Sequence, residues 1–300
     1  MRRIPLLLVA IALFGGCGSE SERPQGLGRI ALDFQPNAVH AGLYAGRAHS
    51  LVVPGSSTDS LKLLASRRVE VAVVDIHDLG LARERGEDIV GIGALVQRPL
   101  AAVIARPEIE RPRNLEGKRV GVTGLPSDDA VLRAIVEHDG GDYSKVKRTT
   151  IGFSAVPSLI AGRVDAVVAF WNAEGVALRQ RGVRTREFRV DDYGAPRYPE
   201  LVLATRGWTA RHRPIAIQAT LDGLRHATVM ALRDREATIA KLVEASGADE
   251  PLVRAQLDAV APALLPPMRL DRAALEGWAR FDAHFGILER PPAVDEAFRL

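Results

Sequence analysis

A chain of 300 residues, 47% hydrophobic and 26% charged, is long and apolar enough for one large or two medium globular domains, which excludes intrinsic disorder and a collagen-like chain. The 40 basic and 37 acidic residues nearly cancel, and no long basic run occurs, so the sequence predicts no nucleic-acid binding. The single cysteine, Cys17, excludes an internal disulfide, a CxxC redox pair and a four-thiolate metal site.

The N-terminus has the layout of an export signal. Two arginines precede an apolar run that ends at Phe14, and small residues lead to Cys17. The run is much shorter than the roughly 20 residues that span a bilayer, so we predict a signal peptide over 1–16 instead of a transmembrane helix. The segment LFGGC resembles a bacterial lipobox, which implies lipidation of Cys17 and a lipidated tether over 17–27. The alternative is an ordinary secretion signal with an incidental cysteine.

From Gly28 onward, short runs rich in Val, Ile and Ala alternate with stretches of helical spacing. The predicted strands are Arg29–Asp33, Leu51–Val53, Val69–Val74, Ile89–Leu95, Leu100–Ala105, Arg119–Thr123, Lys145–Ile151 and Val164–Ala169. The predicted helices between them are Asp59–Ser66, Asp75–Glu84, Asp128–His138, Val156–Ala161 and Ala173–Arg181. This order predicts an α/β fold whose mainly parallel sheets are covered by helices on both faces.

Two long extended segments, 99–106 and 199–206, bracket the middle of the chain. We predict that the chain leaves one α/β lobe and returns to it through this pair. Lobe I would comprise 28–104 and 206–300, lobe II would comprise 105–205, and a cleft would lie where the chain crosses between them.

The strand signals stop after Arg206. Apolar residues at helical spacing from Ile217 to Leu242 predict one long helical face, and shorter helices follow at Leu252–Val260 and Arg272–His284. We expect this helical tail to pack on lobe I.

Motifs for cofactors and catalysis are missing from the sequence. The segment Gly121–Gly124 lacks the glycine spacing and the following Lys-Ser/Thr of a phosphate-binding loop. The 7 histidines are scattered, with no HxH or HxxxH pair. The sequence therefore predicts no catalytic residues, no metal and no cofactor.

The first candidate site segment follows the first predicted strand, at the carboxyl edge where open α/β sheets bind ligands. Asp33 could accept a hydrogen bond from an amine, Phe34 could stack on a flat ring, and Asn37 and His40 add hydrogen-bonding groups. The alternative is that Asp33 or Asn37 only caps the helix that follows.

Two further candidate segments are turns between a strand and a helix. Ser56 and Ser57 follow the second strand, and their hydroxyl and N–H groups could face the same cleft, although Asp59 is equally suited to cap a helix. Ser127 lies in the corresponding turn of lobe II.

The fourth candidate segment ends an aliphatic strand with aromatic, amide and carboxylate side chains, namely Phe170, Trp171, Asn172 and Glu174. Trp171 could instead fill the core. Together the four segments predict a flat-walled acidic cleft, which suits a small planar solute that carries amino groups.

Four segments carry a resemblance to a known family: ALDFQPNAVHAGLYAG, PGSSTDSLKLLASRRVEVAVVD, NLEGKRVGVTGLPSDDAVL and DAVVAFWNAEGVAL. They resemble bacterial ABC-transporter substrate-binding proteins related to thiamine-pyrimidine synthesis, close to the formylaminopyrimidine-binding proteins and related to sulfonate, nitrate and taurine binders. The resemblance covers roughly residues 28–206. It implies a two-lobed periplasmic-binding fold of type II that closes by a hinge around a thiamine-precursor pyrimidine. The matching binding positions are Asp33, Phe34, Asn37, His40, Phe170 and Glu174.

The sequence departs from the family between Ala45 and Val52, where it is shorter than is usual. With the signal peptide, the resemblance implies an exported lipoprotein, anchored in the membrane by lipid, that passes its solute to the permease and ATPase of an ABC importer.

Two alternatives remain open at this point. One is a solute of the sulfonate, nitrate or taurine type, which predicts an arginine or helix N-termini facing the ligand. The other is a thiamine-pyrimidine synthase, which in a eukaryotic branch uses a pyridoxal-phosphate-linked lysine, a histidine and a cysteine-rich iron motif. This chain has His40 at the matching position but no cysteine cluster, and Lys62 and Lys118 stand in other contexts. We therefore predict that it is not an enzyme.

Overall fold

The computed structural model describes residues 26–46, 49–55 and 59–300, and this part of the chain contains two five-stranded sheets. The sheet of lobe I has the order β2-β1-β3-β10-β4, and the sheet of lobe II has the order β7-β6-β8-β5-β9. The strands are β1 (Arg29–Ala31), β2 (Ser50–Val52), β3 (Val71–Asp75), β4 (Ile89–Ala94), β5 (Ala101–Ala105), β6 (Arg119–Val122), β7 (Lys147–Thr150), β8 (Ala166–Phe170), β9 (Arg186–Arg189) and β10 (Leu201–Arg206).

Helices cover both sheets. They are α1 (Ala41–Ala45), α2 (Asp59–Ala65), α3 (Ile76–Glu84), α4 (Pro126–His138), α5 (Ala155–Ile160), α6 (Glu174–Gln180), α7 (Gly207–His212), α8 (Pro214–Arg233), α9 (Arg235–Ser246), α10 (Glu250–Val260), α11 (Arg272–His284) and α12 (Val294–Ala297). The predicted two-lobed α/β architecture is confirmed.

Each sheet combines parallel and antiparallel pairs. In lobe I, β1 runs parallel to β2 and β3, whereas β10 is antiparallel to β3 and β4. In lobe II, β6 runs parallel to β7 and β8, whereas β5 is antiparallel to β8 and β9. All the antiparallel pairs involve β5 or β10, which are the first strands after the chain crosses from one lobe to the other. The expected parallel pairing therefore covers half of the strand pairs.

The two crossing strands are buried almost throughout. All five residues of β5 and the first five of β10 are buried, which is what continuous apolar runs covered on both faces should give. Because β5 belongs to lobe II and β10 to lobe I, the chain crosses between Ala94 and Ala101 and returns between Arg189 and Leu201. Both crossings come earlier than the expected boundaries at 105 and 206.

The first helix is short but closely packed. One turn of 3-10 helix (Ala38–His40) leads into α1, which lies against α8 and α9. A Cβ atom added to Gly42 would lie 2.1 Å from Thr228 Oγ1, so this approach requires glycine. The short segment after α1 still allows β2 to pair with β1 along its whole length.

The C-terminal tail differs from the expectation in two respects. The predicted continuous helical face is broken at Asp234, which ends α8 and caps α9 by accepting a hydrogen bond from the Ala237 N–H at 3.2 Å. Whereas α11 and α12 pack on lobe I, α10 also contacts α6 of lobe II, so the tail touches both lobes.

No helix in the described ranges is long and apolar enough to cross a bilayer. The predicted signal peptide over 1–16, Cys17 and most of the tether lie outside the described residues, as do Ser56 and Ser57.

Candidate functional site

A cavity of about 160 Å³ lies between the two lobes. Its described polar lining comes from both sides of the cleft and comprises Asp33, Asn37, Asp75, His77, Asp78, Thr123, Ser127, Asp128, Glu174 and Glu200. Three phenylalanines, Phe34, Phe153 and Phe170, contribute its aromatic wall. The predicted cleft at the crossing of the chain is therefore present, with an acidic and aromatic lining.

Asp33 is held by a buried histidine. Its Oδ1 atom lies 2.6 Å from His40 Nε2, and His40 Nδ1 accepts a hydrogen bond from the Asn37 N–H at 3.2 Å. Because Nδ1 is an acceptor, the ring proton sits on Nε2 and is donated to Asp33. His40 is fully buried and does not line the cavity, so it orients Asp33 from behind the cavity wall.

Asn37 lines the cavity, but its amide is engaged with backbone. Its Oδ1 accepts from the Val39 N–H at 3.0 Å, and its Nδ2 donates to the Gln35 carbonyl at 3.1 Å. The amide therefore caps the turn at Ala38–His40, the alternative that the sequence left open for this residue.

Phe34 and Phe153 meet across the cleft. Their rings stack with centroids 5.1 Å apart and planes inclined by 26°. Phe34 follows β1 of lobe I, whereas Phe153 lies in the loop before α5 of lobe II and is 59% exposed. This aromatic pair therefore joins the two lobes at one side of the cavity. Sequence reasoning missed Phe153, although it follows the predicted strand Lys145–Ile151 and the strand-end pattern could have indicated it.

Phe170 and Glu174 mark the end of β8 and the start of α6. Both line the cavity, and Glu174 Oε2 accepts a hydrogen bond from the Phe170 N–H at 3.1 Å. Burial raises the pKa of Glu174, although its hydrogen bonds from backbone N–H groups act in the opposite direction. The Glu174 carboxyl group thus stabilises the turn between β8 and α6 and also faces the cavity.

Trp171 and Asn172 point elsewhere. Trp171 is buried, donates from Nε1 to the Pro99 carbonyl at 3.1 Å, and carries the Arg189 guanidinium 4.2 Å from the centre of its ring. It fills the core beside the first crossing, as the sequence had left possible. Asn172 is buried as well, and its Oδ1 has no hydrogen-bond partner among the described residues. Neither residue lines the cavity.

The lobe II turn at Thr123–Asp128 is closed by Asp128. One carboxylate oxygen, Oδ2, accepts from Thr123 Oγ1 at 2.6 Å, from the Gly124 N–H at 2.8 Å and from the Leu125 N–H at 3.2 Å. Burial raises the pKa of Asp128 against the effect of these hydrogen bonds. Ser127, the predicted site residue of this turn, lines the cavity beside it.

Four lobe I residues that the sequence did not single out as site residues form what we call the acidic floor: Asp75, His77, Asp78 and Glu200. The first three follow the apolar strand β3, the same position relative to a strand that marked Asp33, so the pattern could have indicated them. Glu200 has no such local signal. It reaches Asp75 because β10 pairs antiparallel with β3, with Leu201 opposite Asp75.

His77 is the cationic centre of the floor. Its Nδ1 lies 2.7 Å from Asp282 Oδ1 of α11, and its Nε2 lies 3.2 Å from the Tyr198 hydroxyl. Burial alone would lower the pKa of His77, but its ion pair and hydrogen bond with Asp282, with Asp75 and Glu200 nearby, raise the pKa to about 10.

The floor's carboxyl groups hold their protons more tightly than free ones. Burial, and then the negative charge of Asp75, raises the pKa of Asp78 to about 7 and that of Glu200 to about 8. Burial also raises the pKa of Asp75. The environment thus opposes the accumulation of negative charge on the floor.

The floor brings donor atoms close together, as metal sites do. One ligand atom each from Asp75, His77 and Glu200 lie within 4.8 Å of one another. Both nitrogens of His77 already have partners, however, and a protonated imidazole offers no lone pair to a metal. The donor set therefore fits an organic cation better than a metal ion.

Comparisons with known proteins place these features in a family. The family model described as NMT1/THI5 like matches residues 40–238. A formylaminopyrimidine-binding protein of Halalkalibacterium halodurans is 34% identical over 67% of this chain and 66% of its own length. A putative thiamine biosynthesis protein of Haemophilus influenzae is 28% identical over 58% of this chain and 60% of its own length. The matched regions thus span slightly less than two thirds of either relative.

The fold is also shared with a solved structure. The periplasmic aliphatic sulphonate binding protein SsuA of Escherichia coli superposes with a TM-score of 0.77 over 92% of each chain, at 16% identity. This similarity supports the type II periplasmic-binding fold already seen in the two sheets. Because the family model covers more than half of the chain, this protein belongs to the NMT1/THI5-like family.

Proposed function

We propose that this protein is the solute-binding component of an ABC importer and captures a thiamine-precursor pyrimidine between its two lobes. The single observation that carries the proposal is the cavity itself. Its volume of about 160 Å³ is close to that of engineered cavities of about 150 Å³ that accept benzene, so it suits a solute with one six-membered ring.

The lining supplies the two kinds of contact that such a ring needs. Phe34, Phe153 and Phe170 offer apolar faces to a flat ring, and Asp33 and Glu174, from opposite lobes, offer carboxylate oxygens to its amino groups. Because ligand contacts from both lobes favour the closed state, binding would be coupled to hinge closure at the two crossings. The relative named as a formylaminopyrimidine-binding protein supports this class of ligand.

The alternative of a sulfonate, nitrate or taurine-type solute is supported by the fold of the sulphonate-binding structure. The chemistry of the lining argues against it. Among the described cavity-lining residues there is no arginine or lysine, whereas six are Asp or Glu. An anion would have to be buried against these carboxyl groups at a large electrostatic cost. The synthase alternative would also need a lysine in the cleft, and none of the described residues that line the cavity is a lysine.

Anchoring in the membrane is part of the same proposal. An exported chain lipidated on Cys17 would hold the two lobes near its permease and ATPase. Mass spectrometry of the purified chain would show a diacylglycerol adduct on the peptide that begins at Cys17, and an unmodified cysteine there would contradict the anchor.

The function is tested by calorimetry on the full chain. We expect 4-amino-5-hydroxymethyl-2-methylpyrimidine and the N-formyl derivative of the corresponding aminomethylpyrimidine to bind, and taurine not to bind. Glu174→Ala should abolish binding without unfolding the protein. Glu174→Gln, which keeps an acceptor for the Phe170 N–H, should weaken binding about 10- to 100-fold, the range for a hydrogen bond to a charged group.

The matched control is Glu137→Gln, an exposed glutamate of α4 away from the cavity, which should bind like the unchanged protein. Binding of taurine in place of both pyrimidines would overturn the proposal. Unchanged affinity in Glu174→Ala would remove this residue from the site.

A further inference from the structure

The acidic floor has acceptors in excess of donors. Asp78 has no hydrogen-bond partner among the described residues, and its carboxyl group faces the cavity. Beneath the floor, Asp282 is fully buried; its Oδ1 pairs with His77, but its Oδ2 lacks any partner in the described structure. Asp282 does not line the cavity, so the acceptor that a ligand can reach is Asp78, and a carboxyl group without a partner there favours a ligand that brings hydrogen-bond donors and positive charge.

Asp75 and Glu200 are held together by the fold. The Ile76 N–H donates to the Glu200 carbonyl oxygen at 3.0 Å, which continues the pairing of β3 with β10. Asp75 Oδ1 accepts from the His77 N–H at 2.8 Å, and Glu200 Oε2 accepts from the Leu100 N–H at 2.6 Å. The backbone thus fixes both carboxyl groups in place.

The two carboxyl groups also lie close together, since an oxygen of each falls within 4.8 Å of the other. Two ionised carboxylates buried at this distance would repel each other, so one of the two groups keeps its proton. Without a ligand, therefore, the pair holds a single exchangeable proton on the wall of the cavity.

We propose that the acidic floor is an ammonium subsite, in which Asp75, Asp78 and Glu200 receive the protonated primary amine of an aromatic solute while the proton shared by Asp75 and Glu200 leaves for solvent. This inference rests on the proposed function and narrows its ligand class to rings that carry an aminoalkyl group. An ammonium group has three N–H donors, which matches three carboxyl groups around one point. The exchange replaces one positive charge by another, so no extra net charge is buried.

The charged groups around Glu200 determine how amine binding depends on pH. Glu200 faces Asp75 of β3, His77 of α3 and Tyr198 of its own segment. Asp78 faces Asp75, His77 and Arg85. Burial and Asp75 raise the pKa of Glu200 to about 8, so the exchangeable proton is present at pH 7. Affinity for the amine should therefore rise with pH up to about 8, by as much as tenfold per pH unit while one proton is released. It should fall again where the amine loses its own proton.

The test is calorimetry of the full chain with 4-amino-5-aminomethyl-2-methylpyrimidine, in phosphate and in Tris at pH 7.0. Because the two buffers differ in ionisation enthalpy, the difference in binding heat counts protons. We expect release of at least about one proton for each ligand bound, because Glu200 is protonated and Asp78 is partly protonated at pH 7, and affinity at least about tenfold higher than for the neutral N-formyl derivative. Glu200→Gln should abolish most of the proton release, whereas Glu137→Gln should not change it.

The outcomes separate the two proposals. If the N-formyl derivative binds and the amine binds no better or without proton release, the ammonium subsite is overturned and the proposed function stands. If neither pyrimidine binds, both are overturned. Because proton counting uses the unchanged protein, the result does not depend on whether Glu200→Gln folds.

Discussion

The two lobes present carboxyl groups to the same cavity but use them differently. In lobe II, Asp128 and Glu174 accept hydrogen bonds from backbone N–H groups of their own strand-to-helix turns. In lobe I, Asp33 pairs with His40, and the floor connects β3 and α3 with Asp282 of α11, more than two hundred residues away in the chain. Lobe II carboxylates therefore serve local structure first, whereas those of the floor depend on tertiary structure.

This difference indicates which carboxyl groups of the cleft are available to bind a charged ligand. A carboxylate that already accepts several backbone hydrogen bonds, as Asp128 does, gains little from a further donor. On the floor, Asp78 has no hydrogen-bond partner among the described residues, and Glu200 holds a proton that a cation can replace, so a ligand cation gains more there. Substitutions that affect one lobe at a time can test the contrast.

The largest effect is expected when one partner of the buried His77–Asp282 pair is removed. Asp282→Ala leaves a buried imidazolium without its closest counter-ion, and the free energy of unfolding should fall by about 3–5 kcal/mol. Asp128→Ala removes hydrogen bonds from a turn and should cost about 1–2 kcal/mol. Urea denaturation followed by circular dichroism measures both. Equal losses would contradict the contrast between the lobes.

A second prediction concerns pH. Because the pKa of Glu200 is raised to about 8, the folded protein keeps a proton that the unfolded chain releases above about pH 4.5. This contribution to stability is present below pH 4.5 and is lost as pH rises through 8. From pH 5 to 8 the unchanged protein should therefore lose up to about 1.4 kcal/mol per pH unit more than Glu200→Gln.

The matched control comes from lobe II. The Arg111 hydrogen bond lowers the pKa of Asp139 to about 2, so Asp139 affects stability only on the acid side, as pH falls below its ordinary range. Asp139→Asn should leave the slope between pH 5 and 8 unchanged. Denaturation curves at several pH values measure both slopes, and parallel slopes for the unchanged protein and Glu200→Gln would contradict the assigned proton.

The smallest effect is expected at the aromatic contact between the lobes. Phe153→Ala removes the ring that stacks on Phe34 and should weaken pyrimidine binding by about 0.5–1.5 kcal/mol. Trp208→Ala is the control, since Trp208 is an exposed ring stacked on His212 of α7 and does not line the cavity. If both variants lose affinity equally, or neither does, Phe153 has no specific part in closure.

Much of the fold could be predicted from local patterns. Runs of Val, Ile and Ala bounded by Gly, Pro or Asp matched strands such as β5 and β10, because a strand covered on both faces needs apolar residues throughout. The edge strand β9, Arg186–Arg189, escaped prediction because three of its four residues are charged and carry no such signal. The break at Asp234 escaped because the apolar spacing continues across it.

Sequence reasoning predicted the cavity-lining residues only where they follow the end of a strand. Asp33, Phe34, Ser127, Phe170 and Glu174 line the cavity, since strand ends meet at the edges of the two sheets that face each other. Trp171 and Asn172 belong to the same local pattern but turn inward. The residue pattern shows where a strand ends, but packing determines the direction in which each side chain points.

The sequence by itself determined the two-lobed α/β class and the strand ends that supply half of the cleft, because strand burial and turn chemistry depend on neighbouring residues. Only the tertiary structure decided that Phe153 meets Phe34, that His40 pairs with Asp33, that Glu200 completes the acidic floor, and that Asp282 pairs with His77 beneath it. The physical reason is that hydrogen bonds and charges act over a few ångströms of space. Strand register and helix packing bring together groups that are far apart in the sequence and have no regular spacing there.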